Sequence, residues 1–263
     1  MKAVMIIPAL NEAAVVGDLV RRTPRDTIAE VIVVDNGSTD ATARVARDAG
    51  AHVISEPRGG YGAACFAVFI ALPVDVGIAF FLDADGSQRP EEIPRVVDPI
   101  LAKRADLVLG ARGLAGRHPV HAAAGTRLVA RFVAWRWRVP ITDFGPLRAI
   151  RVDLLRSLDL QDRAFGWPVE MVVKAAVVGA RILEVPVSHQ PRLAGRSKVS
   201  GHPSRHRSRG LCIFVCGAAC RTTQVVSVTP PACRKHDTKT TCRRLRQRAR
   251  FQGDDRAGSA HQR

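Results

Sequence analysis

Residues 1–201 contain a single cysteine, Cys65, while the other five of the chain's six (Cys212, Cys216, Cys220, Cys233 and Cys242) lie beyond them. One thiol closes no bridge, so this body has no disulfide framework and fits a reducing compartment. Long apolar runs are missing too: none approaches the roughly 20 residues that cross a bilayer. The N-terminal stretch Ala3–Ile7 is too short for a secretory signal and reads as a first strand. After that strand comes Pro8-Ala9-Leu10-Asn11-Glu12, not the Gly-x-Gly-x-x-Gly of a dinucleotide fold, which disfavours redox use of NAD. There is no internal repeat and no low-complexity segment.

Acidic residues are scarce, 24 against 40 Lys and Arg, for a net charge of +16. The excess is uneven. From His202 onward there are 14 basic against 3 acidic residues, leaving 26 against 21 for residues 1–201. The body is thus an ordinary, mildly basic globular chain of 46% hydrophobic composition, ample for a core. We divide the sequence into a domain of residues 1–201 and a basic, Cys- and Arg-rich tail of residues 202–263. The tail lacks helical periodicity and is expected to be disordered or aberrant, the product of a shifted reading frame. Its Cys212, Cys216 and Cys220 lack the two-residue gap usual in zinc sites.

Strands are expected at Ala3–Ile7, Glu30–Val34, His52–Ser55, Ile78–Leu82, Asp106–Leu109 and Ile182–Val187. Helices are expected from Asn11 to about Arg21, from a Ser38 or Thr39 cap to Ala49, from about Arg58 to Ala71, and over Pro90–Ala102, Ala122–Arg138 and Phe165–Val178. A short strand and helix follow Arg148 and run through Leu158. Such alternation predicts an α/β fold with a largely parallel sheet and right-handed crossovers. In the helix after Ala122, Leu128, Val129, Phe132, Val133 and Trp135 share a face opposite Arg127, Arg131 and Arg138, although Arg136 intrudes on the apolar side. That pattern suits either packing on the sheet or a membrane interface.

Three polar segments each follow a strand: Asn11-Glu12, Asp35-Asn36-Gly37-Ser38-Thr39-Asp40, and Asp83-Ala84-Asp85-Gly86. All fall on the sheet edge where open α/β folds bind ligands. Asp83 and Asp85, one residue apart, repel unless a cation relieves them, and Mg²⁺ is commonly held by one or two carboxylates plus substrate phosphates. Asp35 would take hydrogen bonds from a ribose or base, and Asn11, Glu12 and the backbone of Arg58–Gly62 the rest of a nucleotide. Each assignment has a bland alternative. Asp83–Gly86 could be a solvated turn, Asp35 a cap for the turn at Ser38, and Asn11 and Glu12 helix-start residues.

The order Pro-Ala-x-Asn-Glu, Val-Asp-Asn-Gly-Ser-Thr-Asp and Asp-Ala-Asp-Gly resembles the family 2 inverting glycosyltransferases of the GT-A fold. Thr142–Ala149, Trp167–Met171 and Gly195–Lys198 resemble the dolichyl-phosphate mannose synthase and polyprenyl-phosphate branch. The resemblance runs from Lys2 to about Gly201 and implies a Rossmann-like, mostly parallel sheet flanked by helices. It also implies a donor site of Pro8, Asn11, Glu12, Asp35, Asn36, Gly60 and Asp83, and Mg²⁺ or Mn²⁺ held by Asp83, Asp85 and Gln88. Arg148, Arg192, Arg196 and Lys198 would face phosphates, with Arg148 and Asp85 catalytic; the alternatives are an Arg148–Asp143 pair and a solvated basic loop. The expected reaction moves mannose or glucose from GDP-mannose or UDP-glucose to a polyprenyl phosphate, in the cytoplasm or peripherally at its membrane face, with no specific nucleic acid. A hydroxyl acceptor would require a base, for which Glu170 is the candidate, its alternative being a surface or helix-pairing acid. An inert product of a disrupted gene is the remaining competitor.

Overall fold

Val31–Val34 and Ile78–Leu82 are apolar at successive positions, so strands built from them must be covered on both faces. The computed structural model describes residues 1–73, 75–112 and 120–195. The chain separates into two units, Met1–Thr222 and Thr223–Arg263, and every described residue belongs to the first. The boundary expected at residue 201, the tail, Arg196 and Lys198 lie outside the described residues.

The strands are β1 (Lys2–Ala9), β2 (Ile28–Asp35), β3 (His52–Ser55), β4 (Val76–Phe81), β5 (Leu107–Arg112), β6 (Arg148–Arg151) and β7 (Ile182–Val187). They form one sheet in the order β3-β2-β1-β4-β6-β5-β7. All neighbours are parallel except β6, which runs antiparallel to both β4 and β5. The helices are α1 (Val16–Arg21), α2 (Thr42–Asp48), α3 (Tyr61–Ala71), α4 (Ile93–Leu101), α5 (Val120–Trp137), α6 (Val152–Ser157) and α7 (Trp167–Val177). Alternation along β1 and β2 sends Val4, Ile6, Ile32 and Val34 to a core shared with α3, α5, α6 and α7. It sends Met5, Ile7, Val31 and Val33 to a second core with α1, α2 and α4. The expected α/β architecture, a mostly parallel sheet flanked by helices, is therefore observed.

Three local expectations change. The first strand does not stop at Pro8 but runs through Ala9, because Pro8 shares the β4-facing side of Ile6 and β4 pairing has ended at Ile6↔Phe81. Its missing N–H therefore costs no ladder bond there. The first helix begins at Val16 rather than Asn11, since Asn11 has φ 52°, in the left-handed region. Ser38 and Thr39 do not cap α2: Ser38 Oγ accepts the Asn11 N–H, while the Thr39 N–H donates to Asn11 Oδ1. The N-cap is Ala41, which has no polar side chain, and Asp40 just before it accepts the Thr42 N–H at Oδ1, at 2.9 Å.

Candidate active site

β1 and β2 pair as far as Ala9↔Asp35, and the Leu82 N–H donates to Ile6 O just before Asp83. Pro8, Asp35 and Asp83 thus leave the sheet at the same edge, on neighbouring strands. Because β6 is antiparallel, its first residue, Arg148, reaches that edge too, opposite Phe81 and Leu109.

Side chains lock the first two loops together. Beyond the Asn11 bonds with Ser38 and Thr39, the Glu12 N–H donates to Thr42 Oγ1 at 2.8 Å. Asp35 Oδ1 accepts the Ser38 N–H, so this acid does cap its own turn. Asn36 donates through Nδ2 to Glu56 O and Arg58 O and accepts the Gly60 N–H at Oδ1. With its whole amide engaged, it braces the loop bearing Gly60. That glycine has φ 137°, and a Cβ there would meet Arg163 O at 2.3 Å.

A strap formed by residues 188–193 lies across the Asp85 turn. The Gln190 N–H donates to Ser87 O at 3.0 Å, the Leu193 N–H to Asp85 O at 3.1 Å, and Gln190 Nε2 to Gly86 O at 2.8 Å. Arg192 is thereby placed between two carboxylates, donating from Nη1 to Glu12 Oε1 at 2.6 Å with Nη2 3.4 Å from Asp85 Oδ2. Glu12, Asp85 and Arg192, distant in sequence, meet in one cluster.

Deeper in the cleft, Asp83 Oδ1, Gln88 Oε1 and Arg148 Nε are buried without a hydrogen-bond partner. Such atoms cost about 1–3 kcal/mol each unless something fills them, and a carboxylate and an amide oxygen are hard donors of the kind a divalent cation takes. Burial, and next the neighbouring Asp85, hold the Asp83 carboxyl above the usual carboxylate range, against the pull of Arg148 and Arg112. Among the described residues no group of three His, Cys, Asp or Glu could cage a metal by itself. The donor set therefore fits a cation shared with a bound diphosphate.

Sequence reasoning missed four partners here. Tyr61, the chain's one tyrosine, places its hydroxyl 3.4 Å from Arg148 Nη2. Gln88 Nε2 lies 2.6 Å from His189 Nδ1. Asp143 pairs with Arg112 through two contacts of 2.7 Å, not with Arg148. The Glu56 carboxylate holds Arg58 beside the Gly60 loop. A lone tyrosine at a helix start carries no motif, and the others join loops far apart in sequence.

Glu170 is buried and committed. Its oxygens accept the backbone N–H groups of Gln161 and Asp162 at 2.8–3.1 Å and contact Lys174 Nζ at 2.9 Å. The loop it holds accepts the Gly62 and Ala63 N–H groups at Ala164 O and Arg163 O. Glu170 thus seats the start of α3 and also pairs with Lys174 one turn along its own helix.

Residues 4–155 match the family described as Glycosyl transferase family 2. An uncharacterized glycosyltransferase of Mycobacterium tuberculosis is 41% identical over 199 residues, 75% of this chain and 89% of the relative. An undecaprenyl-phosphate mannosyltransferase of Micrococcus luteus is 33% identical over 218 residues, 76% of this chain and 88% of that one. In fold, the chain is similar to glucosyl-3-phosphoglycerate synthase from Mycobacterium tuberculosis, crystallised with Mn²⁺, UDP and phosphoglyceric acid. That likeness has a TM-score of 0.68 at 21% identity and covers 85% of this chain and 80% of the other. With its acids gathered at one sheet edge and a family match across most of the sheet, the chain belongs to glycosyl transferase family 2 and is a glycosyltransferase.

Proposed function

We propose that the enzyme moves a hexose, mannose or glucose, from a nucleoside-diphosphate sugar to a polyprenyl phosphate. The observation that carries this reading is the commitment of Glu170. A hydroxyl acceptor must lose a proton to a base, and the acid nominated for that task is tied up in backbone bonds behind α3. A lipid phosphate, whose second pKa is near ~6, is already ionised at neutral pH and needs none. The name of the Micrococcus luteus relative points to the same acceptor class.

In this reading Asp35, with Asn11 and Pro8 beside it, receives the nucleoside, and the braced Gly60 loop closes against it. Asp83 and Asp85 would hold Mg²⁺ or Mn²⁺ against the diphosphate, with Gln88 completing the shell. A divalent ion supplies charge stabilisation to a diphosphate leaving group. Arg148 stands beside Asp83 and adds a fixed guanidinium where negative charge collects during departure. Arg192 exchanges its contacts with Glu12 and Asp85 for a phosphate, which its planar fork suits. Arg196 and Lys198 would extend the same basic lining. The work is done where polyprenyl phosphate is, at the cytoplasmic membrane face.

The test supplies radiolabelled GDP-mannose or UDP-glucose, polyprenyl phosphate and either Mg²⁺ or Mn²⁺, then separates aqueous and organic phases. Label in the organic phase is expected with one donor. Label that reaches only a hydroxyl acceptor in the aqueous phase would overturn the acceptor assignment.

A further inference from the structure

Resting on that acceptor reading, we propose that the outer face of α5 is a docking surface for a bilayer containing anionic phospholipid. Leu128, Phe132 and Trp135 are 71%, 44% and 75% exposed. They follow i, i+4, i+7 spacing and so form one ridge. The helix is already anchored from behind, where Ala130 and Val133 are fully buried and Val129, Ala134 and Trp137 pack on the core. The ridge is therefore surplus to folding. Its aromatic rings are in contact, Phe132 and Trp135 with centroids 6.1 Å apart and Phe132 edge-on to Trp137 at 6.2 Å.

Charge identifies the occupant. At 100° per residue, Arg131 and Arg127 border the ridge on one side and Arg136 on the other, Arg138 follows directly after the helix end, and all four are exposed. None has a carboxylate within salt-bridge distance among the described residues. The sequence has no acidic residue between Asp106 and Asp143. An apolar ridge with Trp, flanked by arginines able to reach up to phosphates, is the composition that lies in a headgroup layer. A protein partner would need a matching acidic groove, whereas an anionic bilayer supplies both an apolar depth and a negative surface worth about 1 kcal/mol per arginine, or about fivefold in binding each. Among the described residues no helix is long and apolar enough to cross a membrane, so attachment through α5 is by contact with one leaflet. The helix leads directly into the loop that carries Asp143 and ends at Arg148.

The experiment floats the full-length protein with vesicles of phosphatidylcholine alone or mixed with phosphatidylglycerol, and reads tryptophan quenching by lipids brominated in the acyl chain. The chain has three tryptophans, and none lies in the basic tail; Trp167 is buried. Binding to the anionic vesicles with quenching is expected. Trp135→Phe should remove most of the quenching, and Leu128→Glu with Trp135→Glu should lower partitioning by roughly tenfold or more. Both positions are exposed, so the double variant keeps its fold. It should retain transfer to a short, water-soluble polyprenyl phosphate and lose transfer to the vesicle-embedded acceptor. Vesicle binding unchanged in the double variant, or absent in the wild type, overturns the proposal, as does a change from dimer to monomer in that variant without any lipid binding. Quenching without transfer to any lipid phosphate leaves the docking face standing and removes the acceptor reading, so the two failures are distinguishable.

Discussion

At the scale of single residues, the cluster of Glu12, Asp85 and Arg192 has the sharpest consequences. Asp85 Oδ2 lies 3.4 Å from a guanidinium while Asp83 keeps a buried, unpartnered oxygen. Asp85→Ala is expected to abolish the metal-dependent part of nucleotide binding. In a thermal shift assay the wild type should gain about 2.7 kcal/mol of stability at ligand a hundredfold above Kd, and the variant none; an equal gain in both would remove Asp85 from the metal site. Glu170 is a candidate base by residue type and position, while its contacts with Gln161, Asp162 and Lys174 argue for a structural role. Its three backbone bonds make Glu170→Gln a stability variant, with a loss of roughly 1–3 kcal/mol in urea denaturation and transfer per folded molecule retained. Wild-type stability combined with lost transfer would instead return Glu170 to the chemistry. Asp35 and the Asp83–Asp85 pair could be read from sequence because each directly follows an apolar strand. Tyr61 and His189 could not, since their partners are set by packing between loops rather than by spacing.

At the scale of elements, the expected parallel strands and crossover helices follow from apolar runs of strand length alternating with helical periodicity. The antiparallel insertion of β6 between β4 and β5 had no such mark: four residues, Arg148–Arg151, are too few for a pattern, and direction depends on how the loop returns. That loop approaches so closely that a Cβ on Gly145 would meet Gly110 O at 1.7 Å. Gly145→Ala must displace backbone, not a flexible side chain, and should cost on the order of 3 kcal/mol or prevent folding, as read by denaturant midpoint. The opposite edge of the same strands is joined by charge. Asp106 accepts from Arg181 and Arg151, ties β5 to β6 and β7, and has its pKa lowered to about 2, chiefly by the Arg181 hydrogen bond. Its folded value lies below the ordinary one near ~3.9. The stability it contributes is therefore complete above that value and lost as pH falls toward about 2. This amounts to about 2 kcal/mol, less at high salt because Arg181 is half exposed. Asp106→Asn should unfold at lower denaturant at neutral pH and show a flatter acid limb between about pH 4 and pH 2; an unchanged acid limb would assign the acid sensitivity elsewhere.

At the scale of the whole molecule, charge and chemistry are separated along the chain. The acids and arginines of the cleft belong to a body with 26 basic and 21 acidic residues, whereas 14 of the 40 basic residues lie beyond Gly201 against only 3 acids. Binding to nucleic acid, if driven by net charge alone, has no sequence preference, and its affinity falls with salt at a slope of about 0.9 per phosphate neutralised on duplex DNA. The full-length protein is expected to bind duplexes of unrelated sequence equally, with such a slope, and to release them near physiological salt. A chain ending at Gly201 should lose that binding while keeping the metal-dependent thermal shift with its sugar nucleotide, since Asp35, Asp83, Asp85 and Arg148 all remain. Undiminished DNA affinity in the shortened chain would place the basic surface within the first 201 residues. The arginine-flanked ridge of α5 would then be the first face to examine, and Arg131→Glu with Arg138→Glu would test whether the same face serves a polyanion and a bilayer.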